Sequence, residues 1–210
     1  MNILIIGASR GIGLELVKQA IDAGHKVTAL VRDKSVFEGH AHKNFKVRVG
    51  DIMIRKIVEG ACVGQDAVCI TVGMVPSSKP VNLFSDGTRN ALGGMEQAGV
   101  KRLLAVTGIG AGDSEGHGGF FYDKVTRPVL LRHVYDDKNR QEELIRASGC
   151  DWTIVRPALL TRTEFTGKYR VLTDLTGIKT GKISRADVAH FMLQELEHPA
   201  YIHQTPLLTY

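Results

Sequence analysis

Met1-Asn2-Ile3-Leu4-Ile5-Ile6-Gly7-Ala8-Ser9-Arg10-Gly11-Ile12-Gly13 opens the chain, and its reading decides the fold. Ile3 to Ile6 form a short, wholly apolar run of the kind expected in a strand covered on both faces. The glycines follow at once. Beyond them Ile12, Leu16, Val17, Ala20 and Ile21 fall on one helical face, and Gly24 supplies the stop. A strand, a glycine turn and an amphipathic helix in that order make a phosphate site. Gly7 permits the tight turn, Gly11 lets backbone approach a pyrophosphate, Gly13 allows the helix to pack on the sheet, and the helix N-terminus offers unpaired N–H groups. The turn is therefore predicted to hold a dinucleotide through Gly7, Ser9, Arg10, Gly11, Ile12 and Gly13.

Outward from this turn the same alternation continues. Val27 to Val31, Val47 to Val49, Ala67 to Val72, Leu103 to Thr107 and Trp152 to Val155 are further short runs, near-continuously apolar rather than alternating. A second periodic segment places Phe84, Thr88, Ala91, Leu92 and Met95 on one helical face and ends at Gly99. Strands alternating with helices predict an α/β, Rossmann-type doubly wound parallel sheet flanked by helices. After Arg156 the pattern changes. Leu159 to Lys182 is rich in Thr, Gly and basic residues, with one short strand expected at Tyr169 to Thr173. A helix capped by Ser184, with Asp187 three residues on, follows, and Pro206 to Thr209 reads as a last edge strand. One domain, 1–210, is expected, with a nucleotide-binding core of about 1–158 and a small C-terminal substrate lobe of about 159–210.

Composition sets the outer limits. The 210 residues are 43% hydrophobic and 23% charged, which excludes wholesale disorder. The net charge of +5 is scattered, with no basic arm for nucleic acid, and suits a small anionic ligand. No apolar run approaches the roughly 18 residues of a spanning helix, and the N-terminus lacks a basic start and a cleavage site. A soluble, cytoplasmic protein without membrane or direct nucleic-acid partners is expected, as a monomer or small homo-oligomer. Cys62, Cys69 and Cys150 lack CxxC spacing, and His40, His42 and His133 lack ligand spacing, so neither a disulfide framework nor a metal site is expected.

The cofactor's identity turns on the end of the second strand. An acidic residue there accepts the ribose 2'-hydroxyl of NAD, whereas an arginine meets the 2'-phosphate of NADP. Arg32 takes that place and Arg10 lies inside the glycine turn, so NADP(H) is expected, with NAD(H) as the alternative if Asp33 is the ribose ligand.

These residues resemble the short-chain dehydrogenase/reductase superfamily. Gly7, Gly11 and Gly13 match its Gly-x-x-x-Gly-x-Gly pattern. Gly50-Asp51-Ile52 looks like its adenine-binding acidic position, Val72-Gly73 like the loop along the cofactor, and Arg156-Pro157 like the segment that approaches the nicotinamide in atypical and extended branches. Within the superfamily the chain is similar to the atypical NAD(P)H-binding group of NmrA-like proteins and the flavin reductase/biliverdin reductase B type. The resemblance implies cofactor contacts at Asp51, Ile52, Val72, Gly73, Thr107, Lys138 and Pro157.

The departures bear on catalysis. The superfamily's Ser and Tyr-x-x-x-Lys are absent: the fifth run ends Val106-Thr107-Gly108, Tyr122 is followed four residues later by Thr126, and Tyr135 by Asn139. Tyr135-Asp136-Asp137-Lys138 comes nearest, with the lysine one residue early. That residue turns it by about 100° on a helix, which predicts that Lys138 does not share the face of Tyr135. Tyr135, Lys138 and Thr107 remain the candidate catalytic residues, with Lys138 either near the nicotinamide ribose or merely solvated. Gly108 to Gly119 holds six glycines and leads into Phe120-Phe121-Tyr122, either a mobile substrate lid with an aromatic wall or a disordered surface loop with its aromatics in the core. The expected activity is NADPH-dependent reduction of a small, planar acceptor such as a flavin or quinone. The alternative is an NADP-binding sensor without turnover.

Overall fold

A computed structural model describes residues 1–117, 126, 129–178 and 180–210. In chain order the elements are β1 (Asn2–Ile6), α1 (Gly11–Asp22), β2 (Lys26–Val31), β3 (Phe45–Val49), α2 (Arg55–Cys62), β4 (Ala67–Ile70), α3 (Leu83–Ala98), β5 (Arg102–Val106), α4 (Arg132–Arg146), β6 (Asp151–Pro157), β7 (Leu159–Thr161), β8 (Arg170–Leu172), β9 (Lys182–Ser184), α5 (Arg185–Glu197) and β10 (Leu207–Thr209). Eight strands form one sheet in the order β3-β2-β1-β4-β5-β6-β10-β8, and β7 pairs with β9 in a separate two-stranded sheet. All pairings in the large sheet are parallel except β10 with β8. The doubly wound Rossmann architecture expected from the sequence is the one observed.

Successive strand residues face opposite sides, so a continuous apolar run feeds two cores at once. Ile3, Ile5, Val27, Ala29 and Cys69 pack with α1 and α5 on one side. Leu4, Ile6, Leu30, Val68 and Ile70 pack with Val58 of α2 and Met95 of α3 on the other. Burial at Cys69 pushes its thiol up to about 12, a core role rather than a reactive one. β3 departs from the expectation of a doubly covered strand: Lys46, Arg48 and Val49 are exposed. The reason is its place at the sheet's edge, where charged side chains also discourage pairing with another chain.

The C-terminal stretch is tied into this framework. β10 is not the edge strand expected, because β8 runs antiparallel outside it and takes that place. Ser184 caps α5 as foreseen, its hydroxyl accepting from the Asp187 backbone N–H at 2.9 Å. Asp187 in turn accepts from Tyr210 Oη (2.6 Å), Thr166 Oγ1 (2.8 Å) and the backbone of Gly167 (2.9 Å), which fixes the start of α5 against the loop before β8. No helix among the described residues is long and apolar enough to cross a membrane.

Candidate functional site

Strand order reverses at β1: β2 lies on one side and β4 on the other, with their connections on opposite faces. A crevice must open there beyond the carboxyl ends of the strands, where ligands bind in open α/β sheets. The crevice has a volume of about 1290 Å³ and is walled by strand-end residues Ile6, Val31, Thr71, Val106 and Pro157. Single small-ligand pockets run about 300–1,000 Å³, so this one has room for an extended dinucleotide.

The glycine turn lies at its centre. Gly7 has φ +89°, and a Cβ there would stand 2.9 Å from the Val72 backbone nitrogen. At Gly13 a Cβ would run into the Gly7 carbonyl oxygen and Thr71 Oγ1. That closeness draws α1 against β1 and β4 and aims its first turn at the cleft. No side chain caps that turn and no acidic residue sits in it, so its backbone donors are left for a ligand. The residues present therefore fit a dinucleotide diphosphate.

The sequence-derived cofactor candidates Gly7, Ser9, Arg10, Gly11, Ile12, Arg32, Asp51, Ile52, Val72, Gly73, Thr107, Lys138 and Pro157 all line the cleft. Gly13 does not, because its part is the helix–strand contact. Arg10 and Arg32 are both exposed. Asp33 is engaged elsewhere: its carboxylate accepts from the backbone N–H of Ser35 at 2.9 Å and from Ser35 Oγ at 2.8 Å, and these bonds hold its pKa below the usual carboxylate range. Asp51 similarly closes its own turn, accepting from Met53 N–H at 3.0 Å.

At the opposite end α4 presents Tyr135, Lys138 and Glu142 to the end of β5. Asp137 positions this helix by accepting from Phe84 N–H (2.7 Å) and Ser85 Oγ (2.5 Å), which ties it to the first turn of α3. Lys138 Nζ donates to the Thr107 carbonyl and stands 5.6 Å from the centre of the Tyr135 ring. The expectation that Lys138 and Tyr135 lie on different faces is overturned. Residues three apart differ by about 60° on a helix and are neighbours, just as residues four apart are. A Cβ on Gly108 would meet Tyr135 Oη at 3.1 Å and Lys138 Nζ at 3.8 Å, so both polar groups converge on the backbone after β5. Burial lowers the pKa of Lys138 to about 8, against a raising influence from Glu142. The reading of Lys138 as a merely solvated lysine fails with it.

Thr107 is only 2% exposed, and its hydroxyl donates to Glu142 Oε1 at 2.8 Å. Glu142 also accepts from Arg156 Nε (3.0 Å) and Nη2 (2.5 Å), and Arg156 reaches Asp113 at 2.7 Å. Arg156 is thus turned to the interior, and within the Arg-Pro segment it is Pro157 that reaches the cleft. Gly112 allows the loop to cross this pair, because a Cβ there would stand 2.5 Å from Arg156 Nη2. The lid expectation is corrected for residues 108–117, none of which lines the cleft. Gly108 to Ala111 are buried instead, with Ile109 N–H bonded to Pro157 and Gly110 N–H to Ser114 Oγ. Gly118, Gly119, Phe120, Phe121 and Tyr122 lie outside the described residues.

The cleft also has a wall that the sequence reading missed: Arg162, Phe165, Arg185 and His190. The rings of Phe165 and His190 meet at a tilt of 47° with their centres 5.0 Å apart, and Tyr169 Oη bonds His190 Nδ1 at 2.8 Å. A basic, aromatic segment beside a helix cap was the available signal, but nothing local ties it to the glycine turn.

A family model described as NAD(P)H-binding matches residues 7–199. The chain belongs to this NAD(P)H-binding family. Relatives include an uncharacterized sugar epimerase YhfK of Bacillus subtilis, 28% identical over 94% of this chain and 88% of its own. An NAD(P)H azoreductase of Xenophilus azovorans is 25% identical over 96% of this chain and 65% of its own. The solved structure of ChuY, an anaerobilin reductase from Escherichia coli O157:H7, superposes with a TM-score of 0.82 at 24% identity, covering 100% of this chain and 97% of that one. Family and fold agree with the atypical short-chain dehydrogenase/reductase resemblance, and the cleft is that of a protein holding a nicotinamide cofactor.

Proposed function

We propose that this member of the NAD(P)H-binding family is an NADPH-dependent oxidoreductase acting on a small, planar acceptor of the flavin, quinone or similar carbonyl class. The observation that carries the cofactor preference is the pair Arg10 and Arg32. Both arginines line the cleft, Arg10 in the glycine turn and Arg32 just after β2, with no hydrogen bond or ion pair among the described residues, while Asp33 is held by Ser35. Two free planar cations suit the bidentate, charge-assisted recognition of a 2'-phosphate. A reduced nicotinamide cofactor, when bound, supplies hydride to the acceptor. The chain's own residues hold and orient: the first turn of α1 takes the diphosphate, Ile52 and Asp51 border the adenine end, and Val72 and Gly73 run along the middle. Lys138, with Thr107 and Pro157, lines the far end. There Lys138 orients a sugar hydroxyl. Its ammonium is the proton-bearing group lining that end, with water supplying protons from the open side, whereas Tyr135 is buried behind it against Gly108 and does not line the cleft. Thr107 is not a base, because its hydroxyl is committed to Glu142. Positioning supplies most of the rate, which suits readily reduced acceptors. The azoreductase among the relatives supports the reductase reading.

An NADPH and NADH oxidation assay over flavins, quinones, azo compounds and aldehydes tests the proposal. Consumption of NADPH with at least one acceptor, and a preference for NADPH lost by about tenfold or more in Arg32→Asp, is the expected outcome. Tight NADP binding without turnover on any acceptor would establish the sensor instead. Conversion of a sugar with no net consumption of cofactor would point to epimerase chemistry.

A further inference from the structure

Arg185 lies against the glycine turn from the far end of the chain. It is the first residue of α5, and its Cδ and Nε stand 3.7 Å from where a Cβ on Gly11 would be. Its backbone is fixed, because Ser184 immediately before it is fully buried and bonded to Asp187, while Nη1 is held by the Thr161 carbonyl at 2.6 Å. The remaining donors of the fork, Nε and Nη2, have no hydrogen bond among the described residues.

Several effects disfavour a cation at this point. The first turn of a helix carries the positive end of the backbone dipole, which repels a guanidinium. Arg162, also on the cleft, adds like-charge repulsion; burial first, and then Arg162, lower the pKa of Arg185. No carboxylate among the described residues lies within ion-pair distance of either arginine, although both belong to the same cleft wall. A chain that gathers two cations and a helix N-terminus beside an uncapped glycine turn lacks one component, an anion. The feature next to Arg185 is Gly11, where the uncapped first turn of α1 begins.

We infer that Arg185, assisted by Arg162, closes the phosphate site from the C-terminal segment and grips the diphosphate of the bound dinucleotide. Recognition of the diphosphate is thereby shared between the first βα turn and α5. The inference rests on membership of the NAD(P)H-binding family and is independent of the NADPH preference and of turnover. Because the diphosphate is common to both cofactors, Arg185 acts on NADPH and NADH alike, whereas Arg32 separates them.

The test is equilibrium binding, read by nucleotide fluorescence, of NADPH, NADH and competing inorganic pyrophosphate to the wild type, Arg185→Gln, Arg185→Lys and Arg162→Gln. Arg185→Gln is expected to weaken NADPH and NADH by the same factor, about tenfold, through loss of charge-assisted hydrogen bonds. Arg185→Lys recovers part of this, and Arg162→Gln, at an exposed side chain, shows a smaller loss of the same kind. Pyrophosphate competes less well against each weakened variant, and the affinity becomes less sensitive to salt. Thermal melting of the free proteins separates ligand binding from loosening of the bond to Thr161. Unchanged affinity for both cofactors in Arg185→Gln overturns the inference. So does a loss confined to NADPH, which would assign Arg185 to the 2'-phosphate, or unchanged cofactor binding with a raised KM for an anionic acceptor, which would assign it to substrate. A wild type that binds neither nucleotide overturns it as well.

Discussion

Glu142 is the buried centre on which the wall behind the site depends, and its replacement by glutamine is the most demanding test of this structure. The side chain is 2% exposed, Arg156 is 1% exposed, and the two are joined by hydrogen bonds of 3.0 and 2.5 Å. Glu142→Gln keeps the shape and removes the charge, leaving a buried guanidinium whose other anionic partner is Asp113. Removing one member of a buried pair costs about 3–5 kcal/mol. Asp113 remains at 2.7 Å, but its side chain is 73% exposed and partly screened, so the lower end, about 3 kcal/mol, is expected. In urea, with a slope of about 2–3 kcal/mol/M, the midpoint falls by about 1–1.5 M. Trp152 fluorescence and far-UV circular dichroism would follow the transition. The double variant Glu142→Met with Arg156→Met should recover most of the loss, because an apolar pair of similar volume carries no stranded charge. Lys18→Gln, at the exposed pair with Glu15, should leave the midpoint in place. A Glu142→Gln protein within about 1 kcal/mol of wild type, or a double variant as unstable as the single one, would refute the reasoning.

Burial lowers the pKa of Lys138 from 10.5 to about 8, so the cost of burying its charge is fully present below pH 8. Between about pH 8 and 10.5 the unfolded chain holds the extra proton, so stability should rise with pH relative to Lys138→Met; a flat difference in urea midpoints would contradict it. Gly13→Ala forces a methyl into the Gly7 carbonyl and Thr71 Oγ1 and should cost about 1–3 kcal/mol despite alanine's better helix propensity. A melting temperature at or above wild type would mean that α1 yields more easily than the contact implies.

Much of this molecule was legible in one dimension because the responsible forces are local or periodic. A strand running from Ile3 to Ile6, a glycine turn and a helix with apolar residues at helical spacing specify the βα unit, since turn conformation and face-on burial depend on neighbours in sequence. The same reasoning placed Arg32 at the strand end and Ser184 at a helix cap. It failed where the outcome depended on what lies across space. β3 and β10 were misjudged as covered and as edge because strand order, not composition, sets what flanks a strand. Lys138 was assigned to the wrong face through counting against a four-residue motif, although three-residue spacing also makes helical neighbours, and its depressed pKa comes from burial that no local pattern reveals. Arg156 lies in the segment next to the cleft, yet Glu142 draws it inward. The sequence alone determined a dinucleotide turn on a parallel sheet. Only the tertiary structure decided which charges are left facing the cleft, because a buried charge must find its partner and an unpartnered one marks where a ligand's charge is wanted.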